Sequence, residues 1–292
     1  MANVSCIIPV YNCEKYIGKV IPEALDQCDE VIFVNDKTPD HSMEIVKKYK
    51  NNKKVKIFEL DENKGLGYVR NFGAKKASYN LLLYLDSDQI LEKNYVKKAK
   101  NALKDKVAYI GGVRPTEKKT HSQRFMHLMR FHESKGEKNP ERMSDGVFLI
   151  KKKALKDAGG FYQHMRRGGT EKLFDGLKEN DYKVKRINIK SLHLGSPDKF
   201  NKLLKRQWKY GKEQLFIEKR FDFKKTLQGI LLMSPLSIFV SFLLYPTLLE
   251  ENLHDDILFI LLLPVYFYIF MFTYYLSYFI TFFGLRGNYL KK

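Results

Sequence analysis

The chain has 292 residues and carries 52 Lys and Arg against 33 Asp and Glu, a formal net charge of +19. That length holds one sizeable core plus an added module, and the charge points to an anionic partner: a phosphorylated small molecule, anionic lipid or nucleic acid. The three cysteines, Cys6, Cys13 and Cys28, all lie near the start, which excludes a disulfide framework and a zinc site built on cysteine spacing; they read as thiols of a reducing compartment.

From the start of the chain, apolar runs predict strands at 4–10, 30–35, 55–60, 81–86 and 107–111, alternating with helical patterns at 14–27, 39–49, 66–77 and 92–103. Thr38 and Pro39 fit the N-cap and first position of the second helix. The opening MANVSCIIPVYN is short in apolar length and broken by Pro9, so no signal peptide is expected. Strands and helices alternating over short connections imply an α/β domain with a mainly parallel sheet covered on both faces. Ligands of such sheets bind beyond the carboxyl ends of the strands. Three predicted strand ends carry polar residues there: Pro9-Val10-Tyr11-Asn12, Asn35-Asp36 and Asp86-Ser87-Asp88.

The last of these has two readings. Asp and Ser are good N-caps, and the following EKNYVKKAKNAL reads as a helix, so the cluster could simply start it. Alternatively the two carboxylates hold a divalent cation against a phosphorylated substrate. A dinucleotide fingerprint is excluded, since Gly65-Leu66-Gly67 lacks a third glycine and follows the third strand; no GxxxxGK[ST] loop occurs either.

Taken together, CIIPVYN (6–12), VIFVNDKTPD (31–40), NKGLGYVRNFG (63–73) and YLDSD (84–88) resemble, in order and spacing, the family 2 glycosyltransferases of GT-A fold. A later block, SDGVFLIKKKALKDAGGF (144–161), is similar to that family's acceptor-side segment. The resemblance extends over roughly 4–220 and implies transfer, with inversion, from a nucleotide-diphosphate sugar carrying UDP or GDP. By the same resemblance Pro9, Tyr11 and Asn12 would line the nucleoside pocket, and Asp36 would accept a hydrogen bond from base or ribose. The family usually has two aspartates at 35–36; here Asn35 takes the first place. Arg70 would sit near the base or diphosphate, and Asp86 and Asp88 match the DxD motif that binds Mg²⁺ or Mn²⁺. The physical need agrees: negative charge grows on the leaving diphosphate, and a cation held by Asp88, assisted by Asp86, would neutralise it. His193 matches a position where some GT-A enzymes place a histidine on the metal or diphosphate, and Arg166-Arg167 beside Gly168-Gly169 could form a diphosphate clamp.

An inverting transfer also needs a carboxylate to take the acceptor's proton. The family supplies an ED pair after GGF, where this chain has Gly169-Thr170. Glu171 is the first candidate, ahead of Asp175 and of Asp145. The absent pair motivates an alternative function, a non-catalytic sugar-nucleotide-binding membrane scaffold.

Near residue 226 the composition changes. Runs 227–249 and 257–285 contain no charged residue, and each is long enough to cross a bilayer. They predict a C-terminal transmembrane hairpin (226–292). Lys224 and Lys225 before it, and Arg286, Lys291 and Lys292 after it, put both ends in the cytoplasm and the acidic EENLHDD (250–256) outside. Between domain and hairpin, 201–225 carries nine Lys and Arg, three Asp and Glu and interleaved apolar side chains, an interfacial helix suited to anionic lipid. The expected organisation is thus a GT-A domain over 1–200, with a nucleotide-sugar half to about 113 and an acceptor half over 114–200, then this helix and the hairpin. A cleft held at the cytoplasmic membrane face suggests a polyprenyl-phosphate or lipid-linked acceptor. Nucleic acid is not expected, as charge alone supports it and no binding motif is present.

Overall fold

The computed structural model describes residues 2–104, 106–113, 115–135, 146–163, 169–217, 229, 231–235, 237–251, 253 and 256–284. The chain forms two units, Met1–Pro115 with Gly136–Gly195, and Thr116–Lys135 with Ser196–Lys292.

In the first unit the strands are β1 (Val4–Val10), β2 (Glu30–Asn35), β3 (Val55–Glu59), β4 (Leu81–Leu85), β5 (Gln89–Leu91), β6 (Val107–Val113), β7 (Val147–Lys151) and β8 (Lys183–His193). They form one sheet in the order β3-β2-β1-β4-β7-β6-β8-β5. Strands β3, β2, β1 and β4 are parallel, β7 runs antiparallel to β4 and β6, and β6 and β8 are parallel again. By this chain of pairings β6 and β8 point the same way as β1, so the carboxyl ends of β1, β2, β4 and β8 share one edge of the sheet.

The helices are α1 (Ile17–Gln27), α2 (Ser42–Lys47), α3 (Leu66–Lys76), α4 (Tyr95–Ala102), α6 (Lys152–Asp157) and α7 (Gly169–Glu179) here, with α5 (His121–Lys135) in the second unit. Alternation along β1 explains the two-faced core. Cys6, Ile8 and Val10 pack with α1 on one face, while Ile7 joins Val69 of α3, Tyr84 and Phe148 on the other. A sheet buried on both faces has continuous apolar strands, as VSCIIPV and LLLYL show.

Several elements depart from the sequence reading. Strand β5 lies where the helix at 92–103 was expected to be entered directly, and α4 starts only at Tyr95, behind Asn94 in the left-handed region at φ 62°. Asp86, Ser87 and Asp88 therefore do not cap that helix. Helix α2 begins at Ser42, not Pro39, because Asp40 gathers the preceding loop by accepting hydrogen bonds from the Thr38 and Ser42 hydroxyls and the Glu14 N–H. Strand β8 reaches His193, where it pairs with β5.

The second unit combines α5 with α8 (Phe200–Ile217), α9 (Ser237–Val240), a 3-10 turn (Ser241–Leu244), α10 (Tyr245–Glu250) and α11 (Ile257–Gly284). Its core joins Phe125 and Leu128 of α5 to Leu203 of α8 and Phe259, Leu263, Phe267 and Phe270 of α11. The segment 116–135, expected within the acceptor half, thus belongs to this unit. Two full spans were also expected, but among the described residues one helix is long and apolar enough to cross a bilayer, over Ile257–Thr281. The run at 227–249 is interrupted: Ser234 and Pro235 form a turn, and the helix then passes through the 3-10 turn before Pro246. Proline has no N–H to close the helical ladder, which accounts for the break at Pro235.

Candidate active site

The carboxyl ends of β1, β2, β4 and β8, with the start of α3, carry most of the residues singled out from the sequence. After β1, Tyr11 is 45% exposed and Asn12 adopts φ 49°, a left-handed value Asn tolerates better than most residues. The Asn12 N–H donates to Thr38 Oγ1 (2.8 Å) and the Cys13 N–H to Ser42 Oγ (3.0 Å), tying this turn to the loop after β2. Burial raises the Cys13 thiol pKa, opposed by the nearby Ser42 and Ser87 hydroxyls.

Asp36 is buried, and each of its oxygens accepts a backbone amide: Oδ1 from Lys64 (2.7 Å) and Oδ2 from Gly65 (3.0 Å). It fixes the loop that opens α3, where Gly65 takes φ 83°. A carboxylate has about four acceptor positions, so two amides leave capacity for a further donor. Asn35 turns inward instead, its Oδ1 accepting the Thr38 N–H (2.8 Å) and its Nδ2 donating to Glu59 (3.3 Å).

Arg70 is 2% exposed, so its charge is held inside the domain. Its guanidinium lies 5.4–6.0 Å from the ring centres of Phe161, Phe148 and Tyr84, and one amino group donates to Asp86 Oδ1 (3.0 Å). A buried guanidinium set among rings and paired to a carboxylate is a rigid cation. Asp86 also lies 3.4 Å from Gln89 Nε2, whose own oxygen accepts the Ser191 hydroxyl (3.0 Å). Asp86 is thus held by α3 and by the β5–β8 pair together.

Asp88 meets a different partner. Its Oδ2 lies 3.2 Å from His193 Nε2, and its carbonyl accepts the Leu194 N–H (2.8 Å). A Cβ added to Gly195 would lie 2.0 Å from Asp88 Oδ2, so only glycine leaves room for this carboxylate. One carboxylate oxygen and one imidazole nitrogen side by side are donors suited to a divalent cation. Among the described residues no group of three such side chains forms a complete protein cage, which fits ions that take their other ligands from water and substrate phosphates.

After α6, the two glycines of the GGF turn both need the left-handed region, Gly159 at φ 75° and Gly160 at φ 70°. Asn71 then grips the next residue at both backbone groups: its Oδ1 accepts the Phe161 N–H (3.0 Å) and its Nδ2 donates to the Phe161 carbonyl (2.9 Å). Buried Phe161 is part of the ring set around Arg70. The sequence reading missed Asn71, Phe161, Gln89 and Gly195. Asn71 and Phe161 lie inside quoted motifs, whereas Gln89 and Gly195 gave no local signal, since strand pairing alone brings them to the site.

Helix α7 opens at Gly169-Thr170, where the ED pair was sought. Asp175 is exposed on it, while Leu173, Phe174 and Leu177 are buried. The side chain of Glu171, together with Asp145, Arg166 and Arg167, lies outside the described residues.

A family model, glycosyl transferase family 2, matches residues 5–174, more than half of the chain. The chain belongs to glycosyl transferase family 2. Its fold has the GT-A architecture. Poly(ribitol-phosphate) β-N-acetylglucosaminyltransferase TarS of Staphylococcus aureus (strain Mu50) is 35% identical over 105 residues, which is 34% of this chain and 18% of that protein. Glycosyltransferase GlyA of Streptococcus pneumoniae serotype 4 is 34% identical over 98 residues, 32% of this chain and 14% of that one. The chain therefore matches less than a fifth of the length of these relatives. Among solved structures, S. aureus TarS 1–349 in complex with UDP-GlcNAc superposes with a TM-score of 0.54 at 19% identity, covering 72% of this chain and 66% of that one. The mannosyltransferase PcManGT from Pyrobaculum calidifontis, in complex with GDP-Man and Mn²⁺, gives 0.62 at 14% identity, covering 97% and 87%. At these identities the structures speak for the fold.

Proposed function

We propose that this family 2 glycosyltransferase transfers a sugar, with inversion, from a UDP- or GDP-linked donor to an acceptor at the cytoplasmic face of the membrane, and that the reaction needs a divalent cation. The observation that carries the donor part is the pairing of Asp88 with His193 beside the Arg70–Asp86 pair, all at the strand ends where such sheets bind ligands. The UDP-GlcNAc and GDP-Man in the two neighbours support a nucleotide-sugar donor, and the Mn²⁺ in one of them supports the metal. Asp88 and His193 would hold the ion; their mixed oxygen and nitrogen donors depart from the all-oxygen shell typical of Mg²⁺ and favour Mn²⁺. When bound there, the ion supplies positive charge to the departing diphosphate.

The chain's own groups do the rest. Asp86, oriented by Arg70 and Gln89, faces ribose or metal-bound water. Pro9, Tyr11 and Asn12 border the nucleoside, and Asp36 receives a donor from base or ribose with its remaining acceptor capacity. Glu171, with Asp175 as the second candidate, takes the acceptor hydroxyl's proton on the side opposite the leaving group. The apolar second unit motivates a membrane location and a lipid-linked acceptor such as a polyprenyl phosphate.

The test is release of UDP or GDP from a panel of sugar nucleotides, with Mn²⁺ and polyprenyl-phosphate acceptors in liposomes. Turnover that falls at least a hundredfold in Glu171→Gln or Asp175→Asn, with donor affinity kept, assigns the base. Donor binding without turnover on any acceptor of the panel points to the scaffold instead, a reading favoured by Gly169-Thr170 standing where the acid pair is usual.

A further inference from the structure

The second unit fits the surface of a bilayer better than its interior. Glu251 and Asp256 flank the acidic segment that a crossing hairpin would place on the far side of the membrane. Glu251 lies 2.9 Å from His127 and 3.4 Å from Lys118, and Asp256 lies 2.8 Å from His121 and 3.6 Å from Arg124. All four partners belong to α5 or the segment leading into it. A hairpin with its acidic segment beyond the bilayer would therefore have to carry the charged start of α5 across with it.

The other end of α11 is constrained as well. Helix α8 runs alongside it in parallel: the Phe200 ring packs tilted against Tyr266, and further on Ser277 donates to the Trp208 carbonyl, while a Cβ on Gly211 would strike the Tyr274 carbonyl. Gly229, at the start of the returning segment, packs against Tyr275. If α11 crossed, α8 would cross with it, carrying Lys202, Lys205, Arg206, Lys209 and Lys212 into hydrocarbon. Charged side chains there are costly and rare. The apolar surface is instead concentrated on Phe239, Phe242, Leu243, Leu249, Leu258 and Leu261, each more than half exposed. Lys202, Lys205 and Lys209 are exposed on α8.

We infer that the second unit is a monotopic membrane-binding module, which dips this apolar patch into one leaflet of an anionic bilayer and does not cross it. This rests on the membrane location proposed above and replaces the hairpin with an in-plane arrangement of the kind amphipathic modules adopt. Exposed lysines and exposed apolar side chains in one unit fit acidic headgroups over acyl chains.

The experiment reconstitutes the full chain with sealed vesicles of phosphatidylcholine and phosphatidylglycerol. Single cysteines at Lys53→Cys, Lys209→Cys and Glu250→Cys are probed with a membrane-impermeant maleimide; the parent chain, whose three cysteines are buried, gives the background. All three sites labelling from the same side, in protein that sediments with the vesicles, is the expected result. Lys209→Cys or Glu250→Cys labelling only after detergent, with Lys53→Cys accessible, would mean that the segment crosses and would overturn the monotopic assignment alone. Protein that stays in the supernatant would remove the membrane location itself. In addition, Phe242→Asp combined with Leu261→Asp should lower vesicle partitioning at least tenfold and leave nucleotide affinity within about twofold; unchanged partitioning would show the patch faces elsewhere.

Discussion

Asp88 and Asp40 show how differently two loop carboxylates are used. Asp88 stands against His193 in space that exists because residue 195 is glycine. Gly195→Ala should therefore push the carboxylate aside and weaken Mn²⁺-dependent nucleotide binding at least tenfold, with a thermal midpoint close to that of the parent. A loss of affinity no larger than twofold would mean Asp88 does not face the ligand. Asp40 is structural. Burial opposes its ionisation, yet the Ser42 and Thr38 hydroxyls and the Glu14 and Ser42 amides outweigh that and hold its pKa at about 2, below the ordinary 3.8. A pKa lowered by folding adds stability above the unfolded value and loses it as pH falls through the folded one. Asp40→Ala should thus cost about 1–2 kcal/mol at pH 7, and the gap to the parent should close between pH 4 and pH 2. Denaturant unfolding across that range checks both the size and the sign.

At the scale of elements, the Gly-Gly-Phe turn is joined to α3 by close packing. A Cβ on Gly67 would lie 2.0 Å from the Tyr162 carbonyl, and Asn71 holds Phe161 at both backbone groups. Gly67→Ala has to lift the turn off α3 and should destabilise by about 1–3 kcal/mol, as overpacking does; the shift of the urea midpoint measures it, and a change within 0.5 kcal/mol would show that the turn is not fastened there. These contacts also mark what was legible in advance. Strands β1 and β2 were readable to the residue, because short runs rich in Val and Ile between turn residues have few other uses. Strand β5 was not, since Gln89-Ile90-Leu91 becomes a strand only by pairing with His193-Leu192-Ser191 far along the chain. The same non-local pairing is why Gln89 and Gly195 escaped notice, and why Asp86-Ser87-Asp88 looked like a helix cap. Arg70 was singled out by its motif, but its burial under three rings depends on Phe148 and Phe161, which no local pattern connects to it.

For the whole molecule, charge is divided between the parts: residues 226–292 hold three Lys and Arg against four Asp and Glu, so the +20 lies in 1–225. Attraction of that basic part to acidic headgroups is screened by salt, with a Debye length near 10 Å at 0.1 M and 3 Å at 1 M. Binding to anionic vesicles should weaken between 0.1 and 1 M salt and keep a salt-resistant remainder from the exposed apolar side chains; complete release would assign the attachment to charge alone. Composition revealed an apolar C-terminal region but not its ion pairs to α5, because those depend on a segment inserted far earlier in the chain. The donor site is probed by calorimetric titration of UDP and GDP into the full chain, with and without Mn²⁺, for the parent and Asp88→Ala. One nucleotide should bind in a Mn²⁺-dependent way, and Asp88→Ala should lose at least tenfold in affinity. Binding that is equal with and without the metal and unchanged in Asp88→Ala, or no binding of either nucleotide by folded protein, would contradict the donor-site assignment.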